Sequence, residues 1–349
     1  TYIIPEHIFK DVSDFSVSEL PEKPVGTGPY QLKEYKRGEY FTFEANENYY
    51  GGKPSIQNVT LRIIESTDTA KVALQKGEVD AAVVLPSDIE DLDDTQISVY
   101  PYTENRIGYL GLNTHSDALQ DVKVRQAVLF ALNKDELNQA AYLDEDYYAT
   151  PYSFLPPNNP YVTEDVEKYE TNAEKAKELL QEAGVTDLSL NLAFNSTDPA
   201  QTIQATLIQQ QLQQAGITVT LEGGDGTAIF TELKKPDSTK YNLFLGGYIM
   251  GNDPDLYGSL FETGGSANYF QSNSETIDNL FAQAAVELDT DKREALYDDL
   301  QKAIADEAII YPIVDNKKIL AVNNRIGNVE DAGLIPIYTF EDMSKLTIK

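Results

Sequence analysis

The 349-residue chain contains no cysteine and no tryptophan, and only two histidines, His7 and His115. Without thiols there is no disulfide framework, no thiolate nucleophile and no Cys-ligated zinc. The two histidines lie far apart and neither has His-x-x-x-His spacing, which excludes a His-rich metal site. A serine triad would need one of them as its base, and the chain has no Gly-x-Ser-x-Gly elbow. Cations are scarce: 27 Lys and Arg stand against 57 Asp and Glu, a net charge of −30. No Lys/Arg-rich run is available to neutralise phosphates, so nucleic acid is not expected as a partner. A polyanion is also repelled by anionic lipid headgroups. No apolar run reaches the roughly 18 residues that span a bilayer.

What remains is ordinary globular material. Hydrophobic residues make up 41% of the chain and aromatics 10%, too much for disorder. At roughly 150 residues per domain the length predicts two domains, each able to bury a core. The chain opens Thr1-Tyr2-Ile3-Ile4-Pro5 with neither an initiator Met nor a signal peptide, the pattern of a processed or cut product.

Residues 30–35, 40–44 and 59–64 read as strands punctuated by Gly, Asn or Pro. A helix over 67–76, with Ala70, Ala73 and Leu74 on one face and Gly77 as its stop, leads into a strand over 79–84. That alternation predicts an α/β domain. Five acids crowd residues 88–94; with no Asp-x-Asp-x-Asp-Gly loop they read as a solvated helix face or loop. A second region begins near Ser116. Val124, Val128, Leu132 and Leu137 predict one helix over 121–137 capped by Asp121. Residues 147–163, rich in Tyr, Pro and Asn, read as a long loop.

Two helix–Gly–strand units follow: 172–183, Gly184 and 188–194, then 199–215, Gly216 and 217–221. In the second helix Ile203, Leu207, Ile208, Leu212 and Ala215 make the buried stripe. Asp198 caps it and Pro199 takes the first helical position. A strand over 241–247, helices over 273–288 and 291–305, and a strand over 309–314 complete the region. The last 34 residues alternate strand with turn, a tail able to rejoin the first region's sheet.

No segment carries catalytic chemistry on its face. With 57 acids, chance carboxylate pairs are unavoidable and give no specificity for glycoside hydrolysis. Gly223-Gly224-Asp225-Gly226-Thr227 lacks both a Gly-Lys-Ser/Thr ending and a GxGxxG pattern, and reads as a turn. Residues 246–257 are more informative. Gly246 and Gly247 allow a close backbone approach. Asn252, Asp253 and Asp255 then place polar and anionic groups at the carboxyl end of a strand, where α/β sheets hold ligands. A carboxylate there can pair with an ammonium group, and Asp255 can equally cap the next helix.

Several segments follow one another in a telling order: Ile4-Pro5-Glu6-His7-Ile8-Phe9, Pro24-Val25-Gly26-Thr27-Gly28-Pro29-Tyr30, the hairpin from Asn46 through Tyr49, Gly52 and Pro54 to Ile56, and Gly77-Glu78-Val79-Asp80. Leu112-Asn113-Thr114, the stretches from Asp121 to Ala127 and from Ala173 to Gly184, Asn252-Asp253-Pro254-Asp255, and Asp289 with Arg293 continue it. This series resembles the extracytoplasmic solute-binding proteins of family 5, the oligopeptide and dipeptide binders of ABC transporters. The resemblance spans essentially the whole chain. It implies an α/β fold of the periplasmic-binding-protein-like type II, two lobes around a ligand cleft. Residues 1–115 plus 316–349 would form a discontinuous first lobe and 116–315 the second. It also implies a chain that starts late, a C-terminal fragment without the N-terminal part of the first lobe.

The implied function is the substrate-binding subunit of an ABC importer, capturing peptides for delivery to permease subunits without catalysis. A peptide-pheromone receptor of the same fold, or an importer subunit for a sugar, metal chelate or opine, are the alternatives. The resemblance implies no cofactor, no metal and no nucleic acid. It implies a monomer outside the cytoplasmic membrane, as a cell-surface lipoprotein of a Gram-positive bacterium or in a periplasm. Its membrane association would run only through a lipid anchor on the N-terminal part. The implied ligand contacts are Asn113, Tyr152 and Phe154 of the 151–157 loop, Tyr248, Asn252, Asp253 and Asp255, while Gly26, Gly28 and Pro29 shape backbone. Many peptide binders hold the ligand's α-amine with an Asp just ahead of the position of Asn252, a place that here reads Ile249-Met250-Gly251.

Overall fold

The computed structural model describes residues 5–12 and 24–349; Ile4, the first residue of the Pro5-Glu6-His7 segment, lies outside them. The chain divides into two units, Thr1–Tyr102 with Lys318–Lys349 and Thr103–Lys317. The first unit's leading segment ends at Tyr102. Strand residues 106–112 are hydrogen-bonded on both sides to strands of the second unit, which draws 103–115 into it.

In the first unit, β1 (Tyr30–Lys36), β2 (Tyr40–Ala45) and β3 (Asn58–Arg62) form an antiparallel sheet. Tyr35 lies directly opposite Phe41 and stacks on it at 4.5 Å, a cross-strand pair that helps fix the register. Helix α1 (Thr67–Gln75) is capped by Ser66, whose hydroxyl accepts from the Thr69 amide, and it buries Ala73 and Leu74. Strands β4 (Ala81–Val84) and β5 (Ile97–Thr103) follow. Between them the acid-rich stretch departs from a purely solvated face. Asp88 is buried, pairs with Lys71 Nζ at 2.5 Å and accepts from the Leu85 amide, so one carboxylate of the run closes a 3₁₀ turn over Pro86–Asp91. Tyr102, Leu320, Val322, Val329, Ala332 and Leu346 form this unit's core.

The second unit is built on β6 (Arg106–Leu112) and its neighbours. The expected helix over 121–137 is two: α2 (Val122–Phe130) and α3 (Lys134–Tyr142). Asn133 separates them, because its side chain accepts from the Glu136 amide while its own amide donates to Gln211, and both bonds start a new helix instead of continuing the old one. The short strand β7 (Tyr148–Ala149) precedes the long loop. Then come α4 (Ala173–Glu182), β8 (Leu188–Asn195), α5 (Pro199–Gln214) and β9 (Ile217–Gly224). Asp198 caps α5 by accepting from the Ala200 and Gln201 amides, with Pro199 next. The predicted turn at 223–227 is instead the end of β9, with Asp225 capping helix α6 (Gly226–Leu233) through the Ala228 amide. Strand β10 (Leu243–Ile249), helices α7 (Glu275–Val286) and α8 (Thr290–Asp306), and β11 (Ile310–Asn323) complete the unit; β11 continues past it to pair with β4.

The sheet of this unit runs β11–β6–β10–β8–β9, with β8, β9 and β10 parallel and β6 antiparallel to β10. Its two faces differ in chemistry. Leu110, Leu112, Leu243 and Leu245 face an aliphatic core completed by α2 to α5. Ile107, Tyr109, Phe244 and Tyr248 face an aromatic one with Phe154, Tyr257, Phe261 and Phe270. Each fully buried ring contributes on the order of 2 kcal/mol by removal from water.

Candidate functional site

The parallel strands end at Asn195, Gly224 and Ile249, and Ile249 pairs with Arg106, the first residue of the antiparallel β6. One end of the sheet therefore gathers the carboxyl end of β10, the start of β6 and the middle of β11. Carbonyl-rich strand ends followed by loops are where open α/β sheets hold ligands. The turn into β6 is built by Thr103 and Asn105. Thr103 Oγ1 accepts from the Asn105 amide at 3.0 Å and donates to Asp315 at 3.3 Å, tying the turn to β11. Asn105 adopts φ 53°, a left-handed conformation that asparagine tolerates better than most residues. Asn158 of the long loop donates to Asn105 Oδ1 at 2.7 Å. Arg106 donates through Nη1 to Asn316 Oδ1 at 3.0 Å. Burial pushes the Asp315 carboxyl up to about 6, against the opposing pull of Thr103 and Arg106.

The expected contacts separate into two groups. Tyr248 ends β10 and its hydroxyl donates to the Phe154 carbonyl at 2.5 Å. Phe154 is 2% exposed and packs edge-on against Tyr257 and tilted against Phe261. Burial raises the Tyr248 hydroxyl well above its ordinary value, so it stays a neutral donor. These two residues hold the 151–157 loop against the aromatic core, and the Tyr248 hydroxyl and Phe154 carbonyl are spent on each other. Asn252, Asp253 and Asp255 are exposed, whereas Tyr152 stands at 36% exposure with Lys134 and Lys168 over its ring. The Asn252 carbonyl accepts from Asn159, and Asp253 pairs with Arg293 at 2.8 Å. Arg293 also donates to Tyr297 and to the Ala284 carbonyl, so the two family segments around 252 and 289 form one clasp.

Asn113 stands apart from both groups. It follows the opposite end of β6, and seven residues at about 3.3 Å each put it roughly 20 Å along the strand from Arg106. It has no exposed surface. Its Nδ2 donates to the Ser238 and Tyr241 carbonyls and its Oδ1 accepts from the His115 amide, so no polar atom is left for a ligand. Asn113 fixes the 238–241 turn ahead of β10. Conversely, Thr103, Asn105, Arg106, Asn158 and Asp315 were not anticipated. The available signal was glycine inside the strands, at 108 and 247, which marks a close approach by a neighbour.

The fold is the type II periplasmic-binding-protein-like α/β fold. The ABC transporter substrate-binding protein CtaP of Listeria monocytogenes has a solved structure that matches with a TM-score of 0.94 at 35% identity, covering 99% of this chain and 71% of that one. Residues 1–270 match the model of bacterial extracellular solute-binding proteins, family 5, and the chain belongs to that family. It is 27% identical over 328 residues to the oligopeptide-binding protein AppA of Bacillus subtilis, covering 88% of this chain and 60% of that protein. It is 30% identical over 307 residues to the dipeptide-binding protein of Escherichia coli, covering 82% and 56%. The chain thus spans less than two thirds of the length of either curated relative.

Proposed function

We propose that this chain is the ligand-capturing part of the substrate-binding subunit of an ABC importer, taking up peptides and delivering them to permease subunits. Family membership across residues 1–270, together with relatives named for oligopeptides and dipeptides, is the observation that carries the reading. The site chemistry fits capture: amides, carboxylates and a guanidinium at a strand end hold peptides by hydrogen bonds and ion pairs. Tyr152, Asn252, Asp253 and Asp255 are the proposed contacts among the exposed residues, and the two units are the proposed lobes. The finer part of the proposal is a monomeric lipoprotein on the surface of a Gram-positive cell. Bacillus and Listeria relatives support that source, and a chain without cysteine must take any thioether-linked lipid from residues outside it.

The test is capture from a mixture. The chain is mixed with a peptic digest of casein, washed and denatured, and the released peptides are identified by mass spectrometry. Enrichment of peptides at least tenfold over a control protein of similar net charge is the expected result. Retention no greater than the control refutes the peptide reading.

A further inference from the structure

Arg106 is a group that none of the expected contacts uses. On the aliphatic face of the β6–β10 pair the rows run Leu112 opposite Leu243, Leu110 opposite Leu245, Gly108 opposite Gly247, then Arg106 opposite Ile249. Leucines fill the first two rows and the third is bare. The Arg106 side chain turns back along the strand and lies over that bare row. A Cβ on Gly247 would stand 2.5 Å from Cζ of Arg106 and 3.0 Å from its Nε, and one on Gly108 would stand 3.1 Å from its Nη1. Gly247 is therefore the seat of the guanidinium, and the space over Gly108 is shared by its edge and by Val314, whose Cγ1 would stand 2.8 Å from a Cβ there. Gly247 is exposed although Gly246 and Tyr248 on either side are buried, so the seated guanidinium borders open space.

The charge acts on the nearby Asp315 carboxyl but is not tied up in an ion pair. Among the described residues the ion-paired arginines are Arg62, Arg293 and Arg325, and Arg106 is not one of them. Among the described residues its side-chain hydrogen bond goes to the neutral Asn316. A guanidinium carries five N–H donors, so most of the fork remains available. In a chain of net charge −30, a half-buried cation with free donors beside an opening offers an anionic group a local partner that the rest of the surface does not. The nearby Asp315 is buried, accepts from the Thr103 hydroxyl and forms no ion pair with the Arg106 guanidinium, which leaves the fork's outer donors free.

We propose that Arg106, seated on Gly247, is an anion subsite that takes a carboxylate of the bound ligand. The assignment rests on the peptide-capture reading for its ligand class. A peptide offers a carboxylate from two sources, its C-terminus and an Asp or Glu side chain. The planar fork grips either one bidentately and loses that grip when the group is an amide or an ester.

The experiment follows the side chain directly. The chain is labelled with ¹⁵N-arginine, and the Nε–H signal of Arg106 is identified by its loss in Arg106→Lys. It is then titrated with N-acetylglycine, with N-acetylglycinamide and with N-acetylglutamate α-amide. The signal is expected to move with the carboxylates and to stay in place with N-acetylglycinamide; the stronger of the two carboxylates identifies the source. In parallel, Arg106→Gln is expected to retain free-acid peptides from the casein digest at least tenfold less than the parent, with methyl-esterified peptides retained equally by both. The subsite is overturned if neither carboxylate moves the Arg106 signal, or if Arg106→Gln retains free-acid peptides as well as the parent does. If neither protein retains any peptide, the peptide reading fails and the titration alone decides the subsite.

Discussion

Replacing Asn113 separates a structural role from a ligand contact. Its three side-chain hydrogen bonds, at 2.8, 3.0 and 3.0 Å, all go to backbone groups, and the residue has no exposed surface. A net value of about 1 kcal/mol per bond gives roughly 3 kcal/mol for Asn113→Ala, since water does not readily reach the stranded groups. For a unit of this size, at roughly 2–4 °C per kcal/mol, the melting temperature should fall by about 6–12 °C. Asn113→Asp should cost at least as much, because an ionised carboxylate has no donor for the Ser238 and Tyr241 carbonyls. Urea and thermal unfolding measure the loss, and peptide retention well below the transition measures binding. An Ala variant within about 1 kcal/mol of the parent, with retention lost, would refute the reasoning and make Asn113 a ligand contact.

Two buried ionisable groups give opposite pH slopes. The Asp315 carboxyl is raised from 3.8 to about 6, so its favourable contribution is complete below about pH 4 and is lost as pH rises through 6. At most roughly 3 kcal/mol is at stake, and Asp315→Asn should flatten that decline in urea unfolding between pH 4 and 7; an unchanged slope would show that Asp315 titrates normally. Burial pushes the Lys134 amine, which donates to the Pro151 carbonyl between the Tyr152 and Tyr311 rings, down to about 7. The unfolded chain then holds a proton that the folded one lacks, and stability should rise by about 1 kcal/mol per unit between pH 7 and 9. Lys134→Met should abolish that rise, and a parent with no rise would contradict it. Gly247→Ala should displace the Arg106 guanidinium, the far end of a flexible side chain, and leave the β6–β10 ladder intact. It is expected to reduce retention of free-acid peptides as Arg106→Gln does while shifting the urea midpoint little; retention equal to the parent's would argue against the seat.

Local periodicity and capping made much of the second unit legible. The helices around 172–183 and 199–215, their Gly stops and the Asp198 cap are encoded within a few residues of one another. The division of 121–137 was hidden because it depends on Gln211, nearly eighty residues downstream, meeting the Asn133 amide. Helix α6 was hidden because a Gly-rich run reads as a turn until Asp225 is seen to cap it. The site was less legible for the same reason. The polarity of 252–255 announced an exposed turn, but the fate of Asn113 depended on two carbonyls more than a hundred residues away. The role of Arg106 required knowing that Gly108 and Gly247 share a row, which is a matter of strand register and not of spacing.

The central claim, capture of peptides, is tested most directly by what the protein already carries. The chain is purified, denatured without dialysis, and the released small molecules are analysed by mass spectrometry. The account predicts peptides carrying a free carboxylate, at near-stoichiometric yield. Release of a sugar, metal chelate or other non-peptide solute, with no peptide, would contradict it.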